Sequence, residues 1–172
     1  MLRGSPTLII ERKITLAKET KTNAMRRLDA LKIPYKEHYY TASGALSGTE
    51  VAAELHEDPS LVFKTLVTVG KSGAHYVFVI PVERELDLKK AAAAVGEKSV
   101  AMVKSKELLP LTGYIHGGCS PIGMKKFFRT TVDKSAERLD RIFFSGGKIG
   151  FQIELDPKLL SNVIEFEYAQ LT

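Results

Sequence analysis

The alternation of apolar and polar residues along the chain predicts several β-strands. The segments KTLVTV (64–69) and AHYVFVIP (74–81) flank the turn sequence GKSG, and this arrangement predicts a β-hairpin. Further strands are predicted at YKEHYY (35–40) and SVAMV (99–103), and at FFRTTVD, RIFFSG and IGFQIEL in the last third of the chain.

Helices are predicted where apolar residues recur at helical spacing and polar residues can cap the ends. The first is expected to begin at its cap Asn23 and to stop before Pro34. Another is expected to follow the cap Asp87 and to end at Gly96, which can adopt a left-handed conformation. Pro110 is expected to cut short the helix at KELLPL. Short helices are also predicted at residues 48–55 and after Asp156-Pro157.

The order of these elements predicts one mixed α+β domain around a curved sheet rather than a doubly wound parallel sheet. A chain of 172 residues suits one core. We expect a domain over residues 21–172, preceded by an extension (1–20) of unassigned role. The apolar runs are shorter than the roughly 20 residues of a membrane span, and no signal peptide is recognisable, so a cytoplasmic location is expected.

The positive charge of the chain is concentrated near its N-terminus. Residues 1–36 hold nine Lys and Arg against three Asp and Glu, whereas residues 37–172 hold sixteen against seventeen. Such a basic segment suits contact with RNA phosphates, although a solvated face or a tail explains it equally well. The candidate RNA-binding residues are Arg26, Arg27, Lys125 and Lys126.

Three segments are candidates for chemistry, and each has an ordinary structural alternative. Lys64 begins an apolar strand, where it could polarise a carbonyl or merely extend its ammonium to solvent. The loop GGCSPIG (117–123) could offer backbone N–H groups to an oxyanion or form a wide turn. The sequence SGGK (145–148) is a weaker candidate, because two-glycine hairpins are common without a ligand.

A protein nucleophile or a metal site is not favoured. Cys119 follows His116 by three residues, but nothing orients such a pair, and a small buried thiol is the better interpretation. One cysteine and four scattered histidines give no zinc pattern, so no metal or other cofactor is expected. The aromatic residues Phe127, Phe128, Phe143 and Phe144 are expected to pack within strands, although exposed ones could stack on bases.

Four motifs in order resemble the YbaK/EbsC family of aminoacyl-tRNA deacylases, which is related to the editing domain of some prolyl-tRNA synthetases. They are FKTL (63–66), LDLKKAAAAVG (86–96), TGYIHGGCSPIGMKK (112–126) and SGGKIGFQIEL (145–155). The resemblance extends from about Thr22 to residue 166. It implies an α+β domain with a strongly curved, barrel-like mixed sheet, flanked by helices and containing a central crevice.

The resemblance also assigns roles to particular residues. It implies that Lys64, Gly117 and Gly118 are catalytic. It implies substrate contacts by Tyr40, Ser120, Ser145, Gly146 and Gln152. Two positions depart from the family pattern, because Gln152 replaces an aspartate of some relatives and the stretch around Ser47 lacks an aromatic residue.

The GG-x-SP-x-G form of the loop resembles the branch that clears cysteine from proline tRNA. In the mechanism that this implies, the thiol of the substrate cysteine attacks its own ester carbonyl and releases a thiolactone and free tRNA. The alternatives are a deacylase that prefers alanine, a hydrolase that uses Cys119, and a non-catalytic module that binds tRNA or a synthetase. The expected partner is the 3′ end of mischarged proline tRNA, and docking onto prolyl-tRNA synthetase stays open.

Overall fold

The computed structural model describes Thr7, residues 20–41 and residues 46–172. The predicted extension therefore lies almost entirely outside the described residues, as does part of the stretch before Ser47. The helices are α1 (Asn23–Ala30), α2 (Gly48–Glu54), α3 (Leu88–Val95), α4 (Ser105–Thr112) and α5 (Pro157–Leu160), with 3₁₀ turns at Pro59–Leu61 and Lys134–Arg138. Within these described ranges, no helix has the length and apolar character that a membrane crossing requires.

The two ends of α3 are as predicted from the sequence. The start of α1 and the extent of α4 differ from the prediction. Asp87 accepts hydrogen bonds from the first turn of α3, and Gly96 ends it with φ +74°. The N-cap of α1 is Thr22 rather than Asn23. Pro110 lies inside α4 instead of ending it. The final turn survives because the Gly113 N–H still donates to the Leu109 carbonyl at 2.9 Å.

The strands form two sheets. The strands are β1 (Lys36–Tyr39), β2 (Phe63–Gly70), β3 (His75–Pro81), β4 (Val100–Met102), β5 (Arg129–Asp133), β6 (Ile142–Ser145), β7 (Phe151–Leu155) and β8 (Phe166–Ala169). One sheet has the order β1-β7-β6 and the other β4-β2-β3-β5-β8. The predicted β2–β3 hairpin is confirmed, and β5 runs parallel to both β3 and β8. Strand β8 was not predicted from the sequence.

The mixed α+β domain is confirmed, but a strongly curved, barrel-like sheet is not. Within the described ranges, an isolated parallel bridge between Val62 and Phe143 connects the two sheets, and they do not close on each other. Alternating hydrophobicity shows which segments are strands, whereas their partners depend on contacts far apart in sequence.

The main core contains side chains from both sheets and from α1, such as Leu28, Val67, Phe144 and Ile153. On the other face of the five-stranded sheet, α3 covers Phe78 and Ile80. A third cluster, Ala52, Val62, Val82 and Phe143, places α2 over the bridge between the sheets. The bridge is therefore buried, and it fixes the position of β2 relative to β6.

Candidate active site

The β6–β7 hairpin brings several of the predicted site residues together. Ser145 at the end of β6 is the cross-strand partner of Gln152 on β7. Gln152 is in turn the partner of His38 on β1. Directly opposite residues in a sheet project from the same face, so these three side chains form one row. Tyr40 follows β1, and its N–H donates to the carbonyl of Gly150 in the hairpin turn at 3.0 Å.

Lys64 lies on β2, close to the bridge between the sheets. Val62 and Phe143 pair in parallel, so Lys64 and Ser145 are each two residues beyond the bridge and belong to the same face. The Lys64 side chain is 27% exposed, and its ammonium lies 3.6 Å from the fully accessible carboxylate of Glu85. Such exposed pairs contribute at most about 1 kcal/mol, so a ligand can displace Glu85 at little cost.

The loop with Gly117 and Gly118 packs directly on the hairpin turn. A Cβ on Gly118 would lie 3.2 Å from the Ile149 nitrogen and 3.3 Å from the Lys148 Cα. Gly117 has φ +83°, which is the left-handed region that favours glycine. The close approach of the two main chains therefore depends on these glycines, and it joins two motifs that the sequence left separate.

Two of the predicted loop residues make hydrogen bonds within the loop. The Gly118 N–H already donates to the Ile115 carbonyl at 3.0 Å, whereas that of Gly117 has no acceptor among the described residues. Gly117 is therefore the better candidate for an oxyanion donor. Ser120 is fully buried, and its hydroxyl accepts the Ile122 N–H at 3.3 Å. Ser120 therefore stabilises the loop from within, and its contact with substrate stays a prediction.

The hairpin turn is connected to α1 by Thr22. The Thr22 hydroxyl accepts the Met25 N–H and donates to the Gly146 carbonyl. Gly146 itself is buried against Met25 and Phe151, so it faces the core and shapes the turn through its backbone. The sequence analysis missed Thr22 because Asn23 is an equally good capping residue one position later.

Gln152 presents an unusual polar atom to this site. The side chain is almost completely buried, and its Oε1 has no hydrogen-bond partner in the described parts of the chain. A buried acceptor without a partner costs about 1–3 kcal/mol. A hydrogen-bond donor that reached the Gln152 Oε1 would recover that free energy, and the role of Gln152 in substrate binding stays a prediction.

A buried carboxylate borders the row of site residues. Glu154, two positions after Gln152, hydrogen-bonds the His38 Nε2 at 2.6 Å and the Arg141 guanidinium at 3.4 Å. Burial alone would raise the pKa of Glu154, but the His38 hydrogen bond and the Lys36 charge bring it below its ordinary value. The sequence analysis did not name Glu154, although polar residues at alternate positions of the buried strand β7 were the available signal.

The buried thiol of Cys119 is unsuited to nucleophilic attack. Burial raises its pKa to about 11, so the thiol is protonated at neutral pH. Within the described ranges, the side chain that hydrogen-bonds Cys119 is Thr112 rather than His116, and no cluster of three potential metal ligands occurs. The interpretation of Cys119 as a packing residue is confirmed by its position in the main core.

The four candidate RNA-binding residues lie on α1 and just after the loop at residues 117–123, here called the glycine loop. Arg27 and Lys126 line one cleft. The Arg26 guanidinium donates to the Asn23 side chain at 3.1 Å, and the stem of Lys125 lies beside Gly113. Their role in RNA binding stays a prediction.

We expect Gly123→Ala to reduce the free energy of unfolding by about 2–3 kcal/mol, because its Cβ would lie 2.7 Å from the Tyr114 hydroxyl and 2.9 Å from the Ala24 nitrogen at φ +80°. Gly96→Ala is the matched control, since Gly96 also has positive φ but open space around it. It should cost about 1–2 kcal/mol, from its left-handed backbone conformation alone. Urea unfolding measures both, and equal losses would contradict the close contact of the loop with α1.

Comparison with known proteins identifies the family. The model of the aminoacyl-tRNA editing domain matches residues 43–162. EbsC of Enterococcus faecalis, described as a proposed Cys-tRNA(Pro)/Cys-tRNA(Cys) deacylase, is 46% identical over 155 residues, which cover 90% of this chain and 94% of EbsC. The chain therefore belongs to the aminoacyl-tRNA editing domain family, as the YbaK/EbsC resemblance implied. Its class of activity is deacylation of aminoacyl-tRNA, a hydrolysis.

Solved structures support the same fold. A proposed trans-editing enzyme for prolyl-tRNA synthetase superposes with a TM-score of 0.77 at 25% identity, covering 89% of this chain and 98% of that one. A protein described as hypothetical superposes with a TM-score of 0.79 at 22% identity, covering 87% and 99%. The second likeness concerns the fold alone.

Proposed function

We propose that the protein removes cysteine from mischarged proline tRNA and that the thiol of the substrate performs the attack. The observation that carries this proposal is the position of Lys64, which lies in register with Ser145 beside Gln152. The one cysteine of the chain is buried in the core, which favours a nucleophile from the substrate. The name given to EbsC supports the choice of cysteine as the amino acid and proline tRNA as its carrier.

The proposed reaction uses an intramolecular attack. The substrate thiol loses its proton, and the sulfur bonds to the ester carbonyl carbon to give a tetrahedral oxyanion. The bond between that carbon and the ribose oxygen then breaks, and the ribose oxygen takes up a proton. The products are free tRNA and a thiolactone, which water opens to cysteine. Holding the sulfur and the carbonyl in contact lowers the barrier because the two reacting groups are already in one molecule.

The chain contributes geometry and charge. The Lys64 ammonium holds the ester end of the substrate, and the Gly117 N–H donates to the oxyanion, a contact worth about 3–4 kcal/mol where such donors have been removed. Gln152 accepts a hydrogen bond from the amino group of the substrate. Tyr40 and Ser145 close the two sides of the row. Serine and alanine fit the same space but lack a comparable nucleophile, so the reaction itself selects cysteine.

A turnover assay tests this proposal against the non-catalytic module. Purified protein at a tenth of the concentration of Cys-tRNA(Pro) should release all of the esterified cysteine, many molecules for each molecule of protein. The control is the same tRNA incubated without protein. Binding of the charged tRNA without loss of the ester would establish the module instead.

The broader proposals depend on the same function. We propose residues 21–172 as the deacylase domain, of which the family model covers 43–162. A cytoplasmic location follows from action on tRNA during translation. Docking onto prolyl-tRNA synthetase would place the protein where mischarged tRNA is released.

A further inference from the structure

A cleft of about 360 Å³ lies beside the glycine loop, away from the row of site residues. It is formed by α1, by the end of the loop and by the chain after α5, and it contains the basic residues Arg27 and Lys126. No acidic side chain is present among the described residues that line it. The cleft therefore has the charge that attracts phosphate groups.

Phe127 adds an aromatic surface to the cleft. The sequence analysis expected it to pack within a strand, but it precedes β5 and is 64% exposed. An isolated exposed aromatic residue is ordinary. An exposed ring in the same cleft as two cations is the combination with which proteins bind single-stranded nucleic acid, because bases stack on the ring and phosphates pair with the cations.

We infer that this cleft binds the single-stranded RNA that leads to the aminoacylated 3′ end, an inference that rests on the proposed function. The loop connects the two places, because Gly117 and Gly118 contact the hairpin turn while Pro121 and Gly123 line the cleft. Gly123 lies five positions after Gly118, a span of at most about 18 Å. Nucleotides just upstream of a terminal ribose at the site therefore reach the cleft.

A single strand fits the cleft better than a duplex. Bases inside a helix are already stacked on their neighbours, and the edges of an RNA major groove are out of reach of side chains. Phe127 offers a face rather than a hydrogen-bonding edge, so it favours any unpaired base without reading its identity. The chemistry thus predicts affinity for the unpaired 3′ tail with little sequence preference.

The first test compares two uncharged RNA hairpins by fluorescence anisotropy, one with an unpaired four-nucleotide 3′ tail and one with a blunt end. Phe127→Ala should raise the Kd of the tailed RNA by a factor of about 5 to 100 and leave that of the blunt RNA unchanged. Leu109→Ala, an exposed apolar residue of α4 outside the cleft, is the control and should change neither Kd.

The second test measures the charge contribution. The double variant Arg27→Gln/Lys126→Gln should reduce the slope of log K against log salt concentration by about 1.4 for the tailed RNA. The charge-matched control Lys71→Gln/Lys89→Gln alters two exposed lysines outside the cleft and should leave the slope unchanged.

Two outcomes would overturn the inference. If Phe127→Ala leaves the Kd of the tailed RNA unchanged, Phe127 does not stack on bases. If it weakens binding of the blunt RNA by the same factor, the ligand of the cleft is a duplex. These measurements break no ester bond. If Phe127→Ala weakens binding of the tailed RNA alone while the unmodified protein releases no amino acid from charged tRNA, the RNA-binding cleft is supported and the proposed function is rejected.

Discussion

Replacing Lys64 with alanine is expected to lower the rate of cysteine release from proline tRNA by about 100- to 1,000-fold. The physical reason is the loss of a fixed ammonium at the ester, since removing one group that stabilises developing charge typically has this effect. Folding should survive, because the Lys64 side chain is partly exposed and, among the described residues, its ion pair is with the solvated Glu85. Lys71→Ala is the matched control on the same hairpin, and it should retain full activity.

The companion variant Cys119→Ala decides whether the protein supplies the nucleophile. Its thiol is buried in the main core and protonated at neutral pH. We expect Cys119→Ala to lose only a little stability, as measured by its melting temperature. It should keep substantial deacylase activity in single-turnover assays. Inactive Cys119→Ala beside active Lys64→Ala would establish a protein nucleophile and reject the mechanism.

The second large effect is expected on the substrate. Proline tRNA charged with S-methylcysteine should be deacylated at least about 1,000-fold more slowly than the cysteine ester, because methylation removes the attacking thiolate while leaving the sulfur in place. Intramolecular attack contributes so much to such reactions that its loss leaves only slow hydrolysis. The release of radiolabelled amino acid measures both rates.

A competition experiment separates binding from reaction in that comparison. The methylated ester should still inhibit deacylation of Cys-tRNA(Pro), since the tRNA and the α-amino group are unchanged. Rapid hydrolysis of the methylated ester would show that water or a group of the protein attacks, and the proposed role of the substrate thiol would fail.

The sequence predicted the local structure around the site well, because that structure depends on neighbouring residues. Asp87 and Gly96 delimit α3 through their own conformational preferences, and the turn GKSG produces the β2–β3 hairpin. Pro110 was misjudged, since the helix tolerates it by closing its last turn at Gly113.

The arrangement of the site could be predicted only in part. Motif resemblance named Lys64, Ser145 and Gln152, but it did not show that the Val62–Phe143 bridge aligns Lys64 with Ser145. That alignment depends on pairing between residues about 80 positions apart, which a periodic pattern does not encode.

Burial changed the interpretation of other residues. The resemblance implied that Ser120 contacts the substrate, but its side chain is buried and its hydroxyl accepts the Ile122 N–H of its own loop. Phe127 is apolar and close to a strand, which suggested packing, but it is exposed. Sequence alone gives the polarity of a side chain in a loop, whereas the direction in which it points follows from the packing around it.

The rates at which one proline tRNA loses cysteine, serine or alanine in the same assay test the central claim most directly. If the thiol of the substrate performs the attack in a site organised by Lys64 and the glycine loops, cysteine should be released at least about 100-fold faster than serine or alanine. Release of alanine at a rate equal to or greater than that of cysteine would contradict the account and make alanine the amino acid that this protein removes.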